Sequence, residues 1–73
     1  MRITYDSQVD ALYIRFLDER IEVTTQRLSE DVAVNYAPDG RIVGIEVLDA
    51  SEIVFRSHSE PTVEVHNLVA VAA

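Results

Sequence analysis

Residues 32–47 read Val32-Ala33-Val34-Asn35-Tyr36-Ala37-Pro38-Asp39-Gly40-Arg41-Ile42-Val43-Gly44-Ile45-Glu46-Val47. The two flanks alternate apolar and other side chains with period two, which is typical of half-buried β-strands. Between them Pro38 presets φ for one corner, Asp39 suits the next, and Gly40 accepts a positive φ. The stretch therefore predicts a β-hairpin with a tight turn at 37–40.

The same alternation continues toward the N-terminus in the runs 3–5, 11–16 and 21–26, which are separated by short polar or charged connectors. Five strands with such links predict an antiparallel meander in an α+β, mainly β, fold. One face of this sheet is apolar and needs a cover. The residues expected on that buried face are Leu12, Ile14, Phe16, Val34, Val43, Ile45 and Val47.

The segment from Asp49 to about Ser57 predicts a short helix that covers the apolar face. Asp49 and Glu52 have the spacing of a capping box, in which residues three apart satisfy the first amides of a helix. Ala50, Ile53 and Val54 would share one helical side. The sequence thus predicts a single domain, 1–73, with five to six strands and one short helix.

The tail, residues 58–73, contains valines of one parity and predicts the sixth strand. A 73-residue domain has a thin core and often gains further burial by association. A terminal strand can pair with the sheet edge of a neighbouring copy. We therefore expect a homo-oligomer in which Val63, Val65 and Val69 contribute to the contact.

Charge and composition narrow the classes of partner. Thirteen acidic residues face six arginines, lysine is absent, and the net charge is −7. This balance disfavours direct binding to nucleic acid or to an anionic membrane, which require basic patches. The chain has no cysteine, no visible signal peptide and no apolar run near the ~20 residues of a membrane span. A cytoplasmic protein is expected.

Two blocks of sequence carry a resemblance to a known family. They are Tyr5-Asp6 with residues 10–14, and the stretch 39–51. Together they resemble the small prokaryotic family called domain of unknown function 2283, over residues 1–51. The resemblance implies no established activity, cofactor or catalytic residue. Members of the family look like companions of small toxin-like proteins, which implies an antitoxin-type role.

Four acidic residues in the matching blocks, Asp6, Asp10, Glu46 and Asp49, have two interpretations. As a carboxylate cluster they would suit a hard divalent cation, which prefers several oxygen ligands. Alternatively each has a local role: Asp6 and Asp10 bracket a chain reversal, Asp49 caps the helix, and Glu46 faces solvent. The structural interpretation is favoured.

Tyr13 lies on the opposite strand face from Leu12 and Ile14. With Ile42 and Leu48, also outside the predicted core parity, it would form an exposed apolar patch, and such patches mark contact sites. Enzymatic activity is not expected, because a thin core encloses a pocket of ~300–1,000 Å³ only with difficulty. No cofactor is expected either.

The favoured hypothesis is an acidic protein-interaction module that binds a small basic, toxin-like protein. The alternative is a small metal- or ligand-binding domain that uses the four carboxylates.

Overall fold

Five β-strands and one helical turn make up the regular structure of the computed structural model, which describes residues 1–18, 20–55 and 62–69. The elements are β1 (Arg2–Asp6), β2 (Ala11–Arg15), β3 (Thr24–Arg27), β4 (Val32–Tyr36), β5 (Ile42–Val47) and a single π-helical turn (Ser51–Phe55). All strand pairs are antiparallel. The predicted class, mainly β with a little helix, is confirmed.

The strands do not follow one another across the sheet as in a simple meander. Their order is β1-β2-β5-β4-β3, so β5 lies in the centre between β2 and β4. Leu12 pairs with Val47 and Ile14 with Ile45. On the other side of β5, Val32 and Val34 pair with the same two residues. The most apolar strand thus gains two neighbours, which gives it more apolar contact than an edge position offers.

The turn between β4 and β5 forms as predicted. The amide of Gly40 donates to the carbonyl of Ala37 at 2.9 Å, and Gly40 has a φ of 90°. The Asp39 carboxylate accepts the amide of Arg41 at 3.1 Å and contacts its Nε at 2.7 Å. The register between β4 and β5 shifts between Asn35 and Tyr36, so a β-bulge lies beside the turn.

The core lies on one face of the sheet, which we call the apolar face. Its covered row runs across the sheet as Tyr5, Leu12, Val47 and Val32. Leu12 and Val47 form a buried cluster with Ala50, whose side chain is 0% exposed. The helical turn closes this row, and the Phe55 ring packs edge-on against Tyr5 with centroids 5.1 Å apart.

The core is small. The buried apolar residues are Leu12, Ala33, Val34, Ala37, Val43, Val47 and Ala50. Three of them are alanines, and no large side chain in the described part of the chain is fully excluded from solvent. Leu12, Val34, Val43 and Val47 are buried as predicted. A one-layer sheet with a single helical turn does not enclose more.

Several details differ from the expectations. Ile53 and Val54, expected on the covering side of the helix with Ala50, are 43% and 49% exposed, and Ile14 and Ile45 are half-buried rather than buried. Phe16 lies just beyond the end of β2 and is 37% exposed, so it is not a core residue. β3 begins at Thr24, three residues later than the alternation suggested. The described part of the tail, 62–69, lies outside the sheet of its own chain, so the sixth strand does not form there, and pairing with a neighbouring copy stays a prediction. Val71 lies outside the described residues.

No helix within the ranges described is both long enough and apolar enough to cross a membrane.

Leu12→Ala tests this core. Leu12 is 8% exposed in the centre of the cluster with Val47 and Ala50. We expect the variant to lose about 2–4 kcal/mol of unfolding free energy, from lost burial and the cavity left behind. Urea denaturation followed by circular dichroism measures the loss. Thr4→Ala, an exposed position on the neighbouring strand, is the control and should change stability by less than about 0.5 kcal/mol. Equal effects would contradict the assigned core.

Candidate functional site

A hydrogen-bonded row of side chains crosses the second face of the sheet, here the Tyr13 face. The Tyr13 hydroxyl on β2 accepts a hydrogen bond from Asn35 Nδ2 on β4 at 3.1 Å. The Thr25 hydroxyl on β3 donates to Asn35 Oδ1 at 2.6 Å. The row therefore links β2, β4 and β3 and passes over the central strand β5. Tyr13 is half-buried and anchored rather than a free surface side chain.

Gly44 is the residue of β5 over which this row passes. A Cβ at Gly44 would meet the Tyr13 hydroxyl, would lie 2.6 Å from Tyr13 Cζ, and would lie 2.8 Å from the carbonyl oxygen of Ile14. Only glycine allows the ring to lie so close to the strand. Gly44 belongs to the hairpin that the sequence predicts, and no local pattern points to Asn35 or Thr25. A glycine inside an apolar strand was the available signal.

The three residues of the predicted Tyr13 patch are not gathered in one place. The register places Glu46, not Ile42 or Leu48, opposite Tyr13. Ile42 lies beside the bulge at the start of β5 and is 43% exposed. Leu48 follows the other end of β5, half-buried, and its amide donates to the carbonyl of Asp31 at 2.7 Å. At about 3.3 Å per residue, Ile42 and Leu48 lie roughly 20 Å apart.

Among the residues predicted to form contacts, the valines of the tail have the most exposed side chains. Val63 is 63% exposed, Val65 46% and Val69 96%. Between them, Glu64 and His66 contact each other at 3.1 Å. Their role in contact between copies stays a prediction.

Asp10 has the densest set of contacts among the four predicted carboxylates. Its Oδ1 accepts the Tyr5 hydroxyl at 2.7 Å and the Ser51 amide at 3.0 Å. Its Oδ2 accepts the Ser51 hydroxyl at 2.6 Å, and its carbonyl accepts the Ala50 amide at 3.0 Å. These donors, the Ser51 hydroxyl first and then Tyr5, lower the pKa of Asp10. The hydrogen bond from the Tyr5 hydroxyl to the Asp10 carboxylate raises the pKa of Tyr5.

The cap of the helical turn thus differs from the predicted one. The side chain that accepts the Ser51 amide belongs to Asp10, 41 residues away, and not to Asp49. Asp49 has a φ of 51°, which reverses the chain after β5, and its carbonyl accepts the amides of Glu52 and Ile53.

The other carboxylates have separate surroundings. Asp6 Oδ1 accepts the Gln8 amide at 3.0 Å and closes the β1–β2 turn. Glu46 is half-buried on β5, opposite Tyr13 and Ala33. The Asp49 carboxyl faces that of Asp31; a shared hydrogen bond and mutual repulsion raise the pKa of Asp49. Among the residues that the structure places, no three acidic or histidine side chains converge as metal ligands would.

Because the strands are antiparallel, several acidic connectors lie at the same end of the sheet, which we call the acidic end. It contains the β1–β2 turn, the β3–β4 turn and the chain after β5. Six of the 13 acidic residues lie there: Asp6, Asp10, Glu30, Asp31, Asp49 and Glu52. Exposed apolar side chains lie at the same end, namely Val9 at 66%, Leu28 at 58%, Ile53 at 43% and Val54 at 49%. Arg2, Arg15 and Arg41 lie at the opposite end together with Asp18 and Asp39, and Arg27 is the arginine placed at the acidic end.

Gly44→Ala tests the Tyr13 row. The added methyl would press on the Tyr13 ring and the Ile14 carbonyl, and overpacking of this kind costs about 1–3 kcal/mol. We expect a lower urea midpoint. In the Tyr13→Ala background the ring contact is gone, so the same substitution should cost less. A cost unchanged by Tyr13→Ala would show that the ring does not lie over Gly44.

Asp49→Asn tests the carboxyl pair. The folded chain holds the Asp49 proton more tightly than the unfolded chain, so stability falls as pH rises through the raised pKa. Asparagine removes the charge and tolerates a positive φ. We therefore expect the variant to be more stable than the parent at pH 7 in urea denaturation, with the advantage shrinking as pH falls toward the ordinary carboxyl value of 3.8.

Asp39→Asn is the control of opposite sign. The Arg41 amide lowers the pKa of Asp39, so its ionised form stabilises the fold above the ordinary pKa and that stability is lost as pH falls through the lowered value. This variant should be slightly less stable than the parent at pH 7. If both variants shift stability at pH 7 in the same direction, the assignment of the Asp49–Asp31 pair is wrong.

Comparison with known proteins agrees with the blocks identified in the sequence. The family model described as "Protein of unknown function (DUF2283)" matches residues 2–51. No curated protein and no solved structure was found to match the chain. The matched region contains all five strands and ends at Ser51, the residue that Asp10 holds. With more than half of its length matched, the chain belongs to the DUF2283 family of proteins of unknown function.

Proposed function

We propose that this protein is an acidic protein-interaction module whose partner is a small basic protein, in the manner of an antitoxin. The observation that carries the proposal is the acidic end of the sheet, where six carboxylates and four exposed apolar side chains lie at the same end. Interfaces commonly combine an apolar centre, which supplies affinity, with charges that guide the approach of the partner.

The composition of the acidic end supports a basic partner. Of its six carboxylates, those of Asp6, Glu30, Asp49 and Glu52 are exposed, and those of Asp10 and Asp31 are half-buried. The net charge of −7 adds a long-range attraction for a cationic surface. Val9, Leu28, Ile53 and Val54 offer apolar area beside these charges. A partner of mixed basic and aliphatic surface fits this chemistry.

The small core also supports an interaction role. The covered row of the apolar face is closed by the helical turn, but Ile3, in the neighbouring row, keeps 44% of its surface exposed. Folding of the chain alone leaves apolar area that a second protein would remove from water. Catalysis has no comparable support from the described residues.

The partner is found by purifying the tagged chain from its own host at low salt and identifying small basic proteins that accompany it. Association and dissociation rates are then measured with the purified pair. Glu52→Arg at the acidic end should slow association and weaken its salt dependence. Glu22→Arg is the matched control, because it changes net charge equally but lies before β3, at the opposite end. Screening limits local charge effects to about 8 Å at physiological salt, so Glu22→Arg should change association less.

The apolar contribution is tested with a second matched pair. Ile53 and Ile42 are both 43% exposed, at opposite ends of the sheet. Ile53→Ala should speed dissociation and cost more than about 1 kcal/mol of binding free energy if it is an anchor. Ile42→Ala should have little effect. The reverse result would favour the patch predicted from Tyr13, Ile42 and Leu48.

If no basic protein accompanies the tagged chain, the interaction proposal is wrong. The carboxylate alternative is then examined by measuring divalent metal in the untagged protein.

A further inference from the structure

The outer edge of β1 is an open edge in the described structure. β1 pairs with β2 on one side only and ends the sheet, so the groups of its backbone that point outward have no strand to bond. It contains neither proline nor lysine, which commonly protect such edges, and its charged residues, Arg2 and Asp6, lie only at its two ends. Its apolar side chains, Ile3 and Tyr5, continue the apolar face to this border. An edge of this kind accepts a further strand.

We propose that residues 62–66 of a second copy of this chain add to that edge as a sixth, antiparallel strand. The inference concerns self-association and does not depend on the basic partner proposed above. Its first support is the alternation of the segment. Val63 and Val65 have one parity, while Thr62, Glu64 and His66 have the other. Paired in a sheet, the two valines lie on one face and the polar side chains on the other.

The length of the segment fits that of the edge. In the sequence Pro61 precedes the segment, and proline has no amide to donate to a strand ladder. Asn67 has a φ of 63°, which interrupts an extended strand, so five residues, 62–66, lie between the two. β1 also has five residues. With Val65 opposite Ile3 in an antiparallel pair, Val63 is opposite Tyr5 and the five residues match end to end. A parallel pair in the same position would place Asn67 beside Tyr5.

Charge favours the same register. With the valines on the apolar face, Glu64 and His66 lie on the Tyr13 face with Arg2 and Thr4. Glu64 is then opposite Thr4 and diagonal to Arg2, within reach of a long side chain. The added strand thus extends the apolar face and brings a carboxylate near an arginine.

The other edge of the sheet fits the segment less well. On the apolar face β3 itself has Thr24 and Gln26, and Gln26 lies in the same row of the sheet as Ile3. The valines would find polar neighbours there. In its own chain the segment lies outside the sheet, with Val63 63% and Val65 46% exposed, so both valines are available to a second copy. Reciprocal exchange closes a two-fold dimer and covers both β1 edges.

The oligomeric state of the full chain is measured by sedimentation equilibrium, with a matched pair of variants. Val65→Asp places a charge on the apolar face of the pair and should raise the dimer dissociation constant by about tenfold or more. His66→Asp introduces the same side chain one position later, on the polar face beside Arg2, and should change the constant by less than about twofold. Both positions are exposed, so neither variant should alter the fold seen by circular dichroism.

Disulfide trapping identifies the edge, since the natural chain has no cysteine. Ile3→Cys protein mixed with Val65→Cys protein should form a two-chain disulfide under mild oxidation, because residues directly opposite in antiparallel strands lie near disulfide distance. Gln26→Cys mixed with Val65→Cys is the control for the β3 edge and should give much less product. A monomeric full chain at high micromolar concentration overturns the proposal. Equal effects of the two aspartate variants, or equal trapping at β3, overturn it as well. So does a disulfide that forms only within a single chain that has both Ile3→Cys and Val65→Cys.

Discussion

The fold depends on one carboxylate, that of Asp10. A five-stranded sheet with one apolar face needs a cover, and the only helical element described is a single turn, too short to be stable alone. Asp10 holds this turn through the amide and hydroxyl of Ser51. As a result Ala50 lies against Leu12 and Val47 with no exposed surface. Because charge-assisted hydrogen bonds are stronger than neutral ones, a single residue in the first hairpin positions the cover.

The two faces of the sheet are covered in different ways. The apolar face is closed by small residues and by the Tyr5–Phe55 ring contact. The Tyr13 face is organised by side-chain hydrogen bonds that cross the central strand, which bury Ala33 and Gly44 without a second layer. A tyrosine that lies against glycine therefore covers the centre of that face, and exposed apolar side chains lie at the ends and edges of the sheet.

Period-two alternation and turn chemistry predicted most of the strands, because both are local properties of the sequence. Pro38-Asp39-Gly40 and the Leu12–Ile14 alternation needed no tertiary information. The strand order was not predictable in this way, since pairing of β2 with β5 joins residues far apart in sequence. The same reason explains the cap: Asp49 had the right local spacing, but Asp10 reaches Ser51 only in the folded chain. The prediction that Phe16 is buried was wrong for another reason: alternation does not indicate where a strand ends.

The central position of β5 has a consequence for the route by which the chain folds. β1 pairs with β2, and β3, β4 and β5 pair in succession, so two separate hairpin units each form through contacts that are close in sequence. The units join only when β2 meets β5, whose paired residues are about thirty positions apart. Closing that long loop is the entropically costly step, so we expect the folding rate to depend more on β2–β5 pairing than on either turn. The length of the connection between β2 and β3 consequently sets how often the two hairpin units meet.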